Sequence, residues 1–117
     1  MDARIELLCM NLRHGATYAE ACTAAATQTM WERADTIATR YQGGVQWSYH
    51  DDDDEGMTYG DAYAYVPVRH LEAVLNAFDA AQVTYDYVDL PHRTPRAFAQ
   101  RIAARYPRGS GIHVTTR

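Results

Sequence analysis

The sequence predicts a single small α+β domain spanning residues 1–117. Three observations lead there. Val45–His50 and Ala62–Val68 alternate apolar and polar residues with the period of two of a half-buried strand. Leu71, Val74, Leu75 and Phe78 stand at i, i+3, i+4 and i+7, the stripe of an amphipathic helix. The apolar fraction is 47% of 117 residues, enough for one core and too short a chain for two.

Taken in order, residues 3–12 read two ways. Ile5, Leu8, Cys9 and Leu12 fit helical spacing, with Asp2 as a cap and Gly15 as a stop. Ile5, Leu7 and Cys9 alternate as in a strand, with Leu8 and Met10 making the second face apolar, and a strand is expected. Thr17 followed by Glu20 is a capping box, and no Gly or Pro interrupts the chain from there to Arg40. Cys22, Ala26, Met30, Ala34, Ile37 and Tyr41 form the apolar stripe of this helix, which Gly43 and Gly44 end. Val45, Trp47 and Tyr49 alternate with Gln46, Ser48 and His50. This strand and Ala62–Val68 make a hairpin across an acidic loop, 51–60. The amphipathic helix covers 69–82. Val83–Leu90, rich in Tyr and Val, is a strand. Thr94 as cap and Pro95 at the first helical position open another helix, with Phe98, Ile102 and Tyr106 on its core face and Pro107 and Gly109 closing it. Ile112–Thr116 is a last short strand. The order is β-α-β-β-α-β-α-β. Its first six elements match a ferredoxin-like split βαβ core, with a helix and strand appended.

Charge is segregated along the chain. Residues 51–90 carry ten acids against Arg69 alone, a net −9, and residues 91–117 carry six arginines and no acid, +6. The first fifty residues sum to −1, so the total is −4, and lysine is absent. Such asymmetry points to electrostatic recognition of a partner. Asp51, Asp52, Asp53, Asp54 and Glu55 repel one another and must be solvated or paired. Together with Tyr59, Asp61, Tyr63 and Tyr65 they are expected to form an acidic, tyrosine-bearing docking surface for a basic protein. Tyr49, Tyr85, Asp86, Tyr87 and Asp89 flank it. Tyr63 and Tyr65 are expected to point outward, and Tyr85 and Tyr87 inward beside an outward Asp86. Carboxylates so placed can occupy a site built for phosphates, so the expected partner handles nucleic acid. Phage-borne anti-defence proteins, CRISPR inhibitors among them, resemble this chain in small size, acidity and lack of motifs.

Two alternatives stand beside this reading. Arg93, Arg96, Arg101, Arg105 and Arg108 could contact phosphates, Arg101 and Arg105 sharing a helix side away from Phe98 and Ile102. The same arginines could instead pair with the acidic stretch, in one chain or across an antiparallel homodimer. Residues 3–40 also parse as three short helices. The stretch LRHGATYAEACTAAATQTMWERADT resembles the helix-turn-helix segments of small phage and transposon DNA-binding proteins, which would imply DNA binding. Its turn would fall at Ala25–Ala26–Thr27, without a glycine, and its recognition helix would set Glu32 and Asp35 against Arg33 and Arg40.

The second alternative is a small metal-dependent enzyme whose site, from His50 and the adjoining aspartates, assembles only in the fold. No HExxH, GxSxG, Walker loop or paired CxxC is present, so a non-enzymatic protein without cofactor or metal is expected. Asp51, Asp53 and Gly56 occupy EF-hand positions one, three and six, but Ala62 stands where the bidentate glutamate belongs. Cys9 and Cys22 are expected to be small buried apolar residues. No apolar run approaches the ~20 residues of a membrane helix. The N-terminus lacks a basic-then-apolar leader pattern, so a cytoplasmic location is expected.

Overall fold

In the computed structural model, which describes residues 1–117, the elements run β1 (Asp2–Leu7), β2 (Met10–Arg13), α1 (Tyr18–Arg40), β3 (Gly44–Asp52), β4 (Met57–Pro67), α2 (Leu71–Ala80), β5 (Tyr85–Leu90), α3 (Arg96–Ala103) and β6 (His113–Thr116). The ambiguous first segment forms two strands, parted at Leu8 and Cys9. Glu6 lies opposite Tyr63 and Met10 opposite Gly60, so the β1–β2 side has one residue more than β4 between these pairs. That extra residue is a β-bulge, and it flips the alternation. Ala3, Ile5 and Leu7 face the core before it; Met10 and Leu12 face it afterwards. A strand that changes parity shows neither clean period, which is why the segment read both ways. The bulge's backbone is still paired: Leu8 N–H donates to the Thr84 carbonyl at 3.0 Å, and the Leu8 carbonyl accepts from Trp31 Nε1 at 2.9 Å.

The helix-turn-helix parse does not hold. Residues 3–7 and 10–13 are strand, and Ala25–Thr27 lie inside one 23-residue helix. Alanine-rich sequence without Gly or Pro gives the helix no reason to break. Thr17 Oγ1 caps it by accepting from Glu20 N–H at 3.2 Å. The Glu20 carboxylate is taken by Arg13 through two bonds of 2.7 Å, which holds it down at a pKa of about 2. The buried stripe is Ala24, Met30, Trp31, Ala34, Ile37 and Ala38, whereas Cys22 and Ala26 are exposed. A repeat of four exceeds the 3.6-residue turn, so the expected stripe drifts off the core face toward the N-terminus. Cys9 is only half-buried, so neither thiol is the fully buried residue expected. The helix ends in a Schellman motif, with Gly43 N–H on the Ala38 carbonyl at 2.9 Å and Gln42, not a glycine, in the left-handed position at φ 66°.

The β3–β4 hairpin is longer than expected. Pairing continues to Asp52 opposite Met57, leaving a four-residue turn, 53–56, where a loop of 51–60 was predicted. Aspartate and glycine disfavour strands locally, and the ladder overrides that preference. Leu71, Val74, Leu75 and Phe78 are fully buried, as the stripe on α2 requires. Thr94 does not cap α3; its hydroxyl donates to the Pro91 carbonyl at 2.7 Å.

β3 pairs along one side of β4, so β1 and β2 share the other side; β5 joins β1 antiparallel and β6 joins β5 parallel. The sheet is therefore mixed and reads β3-β4-β1-β5-β6 across, with β2 collinear with β1. Trp31 and Ile37 of α1, the stripe of α2 and Ile102 of α3 join the strand residues in one core. The helices lie on one face, and the other face of the sheet is bare. This is one α+β domain.

Candidate binding face

The bare face is set by the parity of β4. Gly60, Ala62, Ala64 and Val66 turn to the core, so Tyr59, Asp61, Tyr63 and Tyr65 share the opposite side, each half-buried. Register places their neighbours. Gln46 lies opposite Tyr63, Ser48 opposite Asp61 and His50 opposite Tyr59 on β3. Arg4 lies opposite Tyr65 and Glu6 opposite Tyr63 on β1. Beyond them come Tyr87 and Asp89 on β5, then His113 and Thr115 on β6. The four nominated residues of β4 are thus together, on a surface to which every strand contributes.

Tyr85 and Tyr87 were both expected inward; only Tyr85 is. A second bulge, at Asp86, sets Tyr87 opposite Glu6 but Tyr85 opposite Leu7. Tyr85 is buried, its hydroxyl 2.7 Å from Asp79 and 2.8 Å from Tyr106, whereas Tyr87 is exposed and stacks on His113 at 5.1 Å. Tyr49 belongs to the helix side, 5.9 Å from Trp31.

One guanidinium is already held on this face. Arg4 donates to Asp89 Oδ2 from Nε at 3.0 Å and from Nη2 at 2.8 Å, and it sits 5.2 Å over the Tyr63 ring. The Thr115 hydroxyl donates to the other Asp89 oxygen. Burial pushes the Asp89 carboxyl up, but the bonds from Thr115 and Arg4 outweigh it and hold the pKa below its ordinary 3.8. The pair therefore stabilises the fold fully above that value and is lost as pH falls through the depressed one. Asp89→Asn is expected to cost about 2 kcal/mol at neutral pH, discounted for the solvent that reaches Arg4. In urea titrations at falling pH the gap to wild type should close below the ordinary carboxylate range; a gap that stays constant would show that the charge contributes nothing.

Glu6 and Asp86 make no ion pair. Burial, then Asp86 and Asp89, raise the Glu6 pKa. Asp61 accepts from Cys9 Sγ at 3.3 Å and lies 3.0 Å from His50 Nε2. Burial, the Asp61 bond and the surrounding carboxylates push the Cys9 thiol up to about 11, so it is not a thiolate nucleophile at neutral pH. Burial and then Glu6 and Asp61 raise Tyr63 as well. The middle of the face is negative.

The acidic run continues this face at one end but is divided by the strand. Asp51 falls on the helix side and takes the Thr58 hydroxyl; Asp52 falls on the bare side and accepts Glu55 N–H at 3.1 Å. Asp53 and Asp54 are exposed, and Glu55 accepts the Tyr59 hydroxyl, raising the tyrosine's pKa. His50, Asp51–Asp54 and Tyr59 line an open cleft, and no three His, Cys, Asp or Glu side chains are arranged to hold a metal ion.

The tail arginines are partly occupied. Arg101 bonds Glu72, and Arg105 bonds Asn76 at 2.7 Å and lies 3.6 Å from Asp79. Arg101 also stacks 5.1 Å over Phe98, the ring it was expected to avoid, because residues three apart adjoin on a helix. Arg93, Arg96 and Arg108 are exposed and make no ion pair. Sequence reasoning missed Arg4, Glu6, Cys9 and His113 as face residues. The alternation Arg4-Ile5-Glu6-Leu7 was a legible signal for the first two. No helix is long and apolar enough to cross a membrane. Comparison with known proteins gives no match to a family model, to a curated protein or to a solved structure.

Proposed function

We propose that this protein works by binding, laying its bare sheet face and acidic hairpin against a basic surface of another protein. The observation that carries the reading is the gathering of Tyr59, Asp61, Tyr63 and Tyr65 on a face that no helix covers, with Glu6 and Asp86 beside them. Tyrosine supplies contact area at low entropic cost, and surrounding carboxylates steer cations toward it. Arg4, seated between the Tyr63 ring and Asp89, is an internal example of how a partner's arginine would be received. The surface clefts are open ones, which suits docking better than substrate enclosure. The carboxylates of the face also repel phosphates, so the face itself is unsuited to nucleic acid. A partner that normally grips nucleic acid has the complementary charge, which is the mode of a small phage anti-defence or CRISPR-inhibitor-like protein. The order β3-β4-β1-β5, with helices on one side, supports a ferredoxin-like core to which α3 and β6 are appended.

The test is capture from a host lysate with and without nuclease, using wild type, Asp51–Asp54→Asn and Tyr63→Ala as baits. A nucleic-acid-handling protein retained after nuclease, and weakened at least about fivefold by either variant, is the expected result. Capture that disappears with nuclease, or that ignores both variants, refutes the reading and moves function to Arg93, Arg96 and Arg108.

A further inference from the structure

The middle of the sheet's outer edge is unprotected. β3 pairs only with β4, and its middle, Val45–His50, carries no Asp, Glu, Lys or Arg, no proline and no bulge. Sheet edges are ordinarily blunted by such devices, because free N–H and C=O groups invite another strand. Val45 N–H is held by Asp35 at 2.9 Å instead of by β4. Backbone groups alternate in direction along an antiparallel strand, so Trp47, Tyr49 and Asp51 send theirs to the free edge. On the helix side of the same stretch stand Trp47, 39% exposed, and Tyr49, 43% exposed, both resting on buried Trp31.

We infer that β3 pairs antiparallel with β3 of a second copy, about a two-fold axis through Ser48. In this register Trp47 and Tyr49 of one copy exchange backbone bonds with Tyr49 and Trp47 of the other. The four exposed rings then meet crosswise on one face, the aromatic pairing that stabilises antiparallel ladders. Gln46 meets His50 of the second copy, and the two Ser48 side chains adjoin. Asp35, which holds Val45 N–H, ends the shared ladder there and confines it to 46–50. Asp51 and Asp52 fall opposite Val45 and Gly44, so the two acidic turns leave at opposite ends. Each heads for the end of the other copy's α1, where Arg69 bonds Gln42. The contact is isologous and closed, and it joins the two bare faces into one sheet. It is separate from the docking proposed above, which a monomer could also perform.

The experiment is sedimentation equilibrium of the full chain, with cysteine cross-linking in a Cys9→Ala, Cys22→Ser background, which leaves no other thiol. The expected mass is twice 13.2 kDa. Ser48→Cys should cross-link under mild oxidation, since residues facing each other at a non-hydrogen-bonded position have Cα atoms about 4.5 Å apart, within disulfide reach. Gln46→Cys should not, its two copies lying about 13 Å apart along the strands. Ser48→Glu sets like charges face to face and should return the protein to monomer with an unchanged circular dichroism spectrum. Monomeric wild type, equal cross-linking at 46 and 48, or a dimer indifferent to Ser48→Glu would each overturn the inference. A basic peptide taking the edge instead would give the first of these.

Discussion

Trp31→Ala is expected to cost about 4–5 kcal/mol, the upper range for emptying a buried aromatic site. That is a large share of the ~5–15 kcal/mol that holds a small domain together. Three roles converge on this side chain. It is fully buried in the core, and an added Cβ at Gly60 would lie 2.8 Å from its ring, so its loss leaves a void that glycine cannot fill. Its N–H is the hydrogen-bond partner of the Leu8 carbonyl at the bulge. It also supports the two exposed rings of β3, Trp47 at 6.3 Å and Tyr49 at 5.9 Å. Trp31→Phe separates these roles. It keeps most of the packing and orphans the carbonyl, at about 1–2 kcal/mol for the bond alone. Urea denaturation of both variants is the measurement. An alanine variant no worse than the phenylalanine one would show that the ring packs far more loosely than its burial implies.

Much of the fold was legible because most elements repeat with one period. α2 kept its stripe from Leu71 to Phe78 without drift, and β4 alternates cleanly from Gly60 to Val66. Legibility failed where a period changed within an element. The bulge at Leu8 turned residues 3–12 into a mixed pattern, and the one at Asp86 reversed Tyr87. Neither bulge carries a glycine or proline to betray it, since each depends on what lies across the ladder. The hairpin was misjudged for the opposite reason: aspartate and glycine looked like loop, and pairing to the opposite strand overrode them. Gln42 and Gln82 take the left-handed positions at φ 66° and 59°; the end of α1 was read instead from Gly43 and Gly44 just beyond it, and α2 was carried to 82, two residues past its end at Ala80.

The candidate face divides in the same way. Tyr63 and Tyr65 were identified because alternation within one strand is a local property, whereas Tyr59 and Asp61 were nominated from beside the acidic run and share the face because β4 begins as early as Met57. Arg4, Glu6, Asp89 and Thr115 join them through β1, β5 and β6, pairings that no local pattern states. The charge blocks were visible from the start, and so was the option that tail arginines pair with the acidic stretch within one chain; which acids they would find was not. Arg101 and Arg105 look free on their helix and are bound to α2 once the layers close. A charge count therefore overstated the basic surface, and it understated the acidic one, where Glu6 lies outside the acidic block altogether.

Two neighbouring glycines, indistinguishable in the sequence, should respond oppositely to the same substitution. Gly43→Ala is expected to destabilise by the upper end of the about 1–3 kcal/mol of overpacking, or more. Its added Cβ would lie 2.1 Å from the Tyr65 carbonyl oxygen and 2.8 Å from Val66 Cγ1. The carbonyl cannot rotate away as a side chain would, so the turn after α1 must separate from β4. That strand carries the candidate face, and β3, which begins at the next residue, carries the free edge, so partner capture and self-association should both suffer with stability. Gly44→Ala meets only Asp35 Oδ1, at 3.7 Å, an ordinary contact. It should change stability by no more than about 0.5 kcal/mol, or raise it by stiffening the unfolded chain. Chemical denaturation of the two variants side by side decides the matter. Equal losses would mean that the glycines serve chain flexibility, and equal tolerance would mean that β4 does not approach Gly43 as closely as the fold requires.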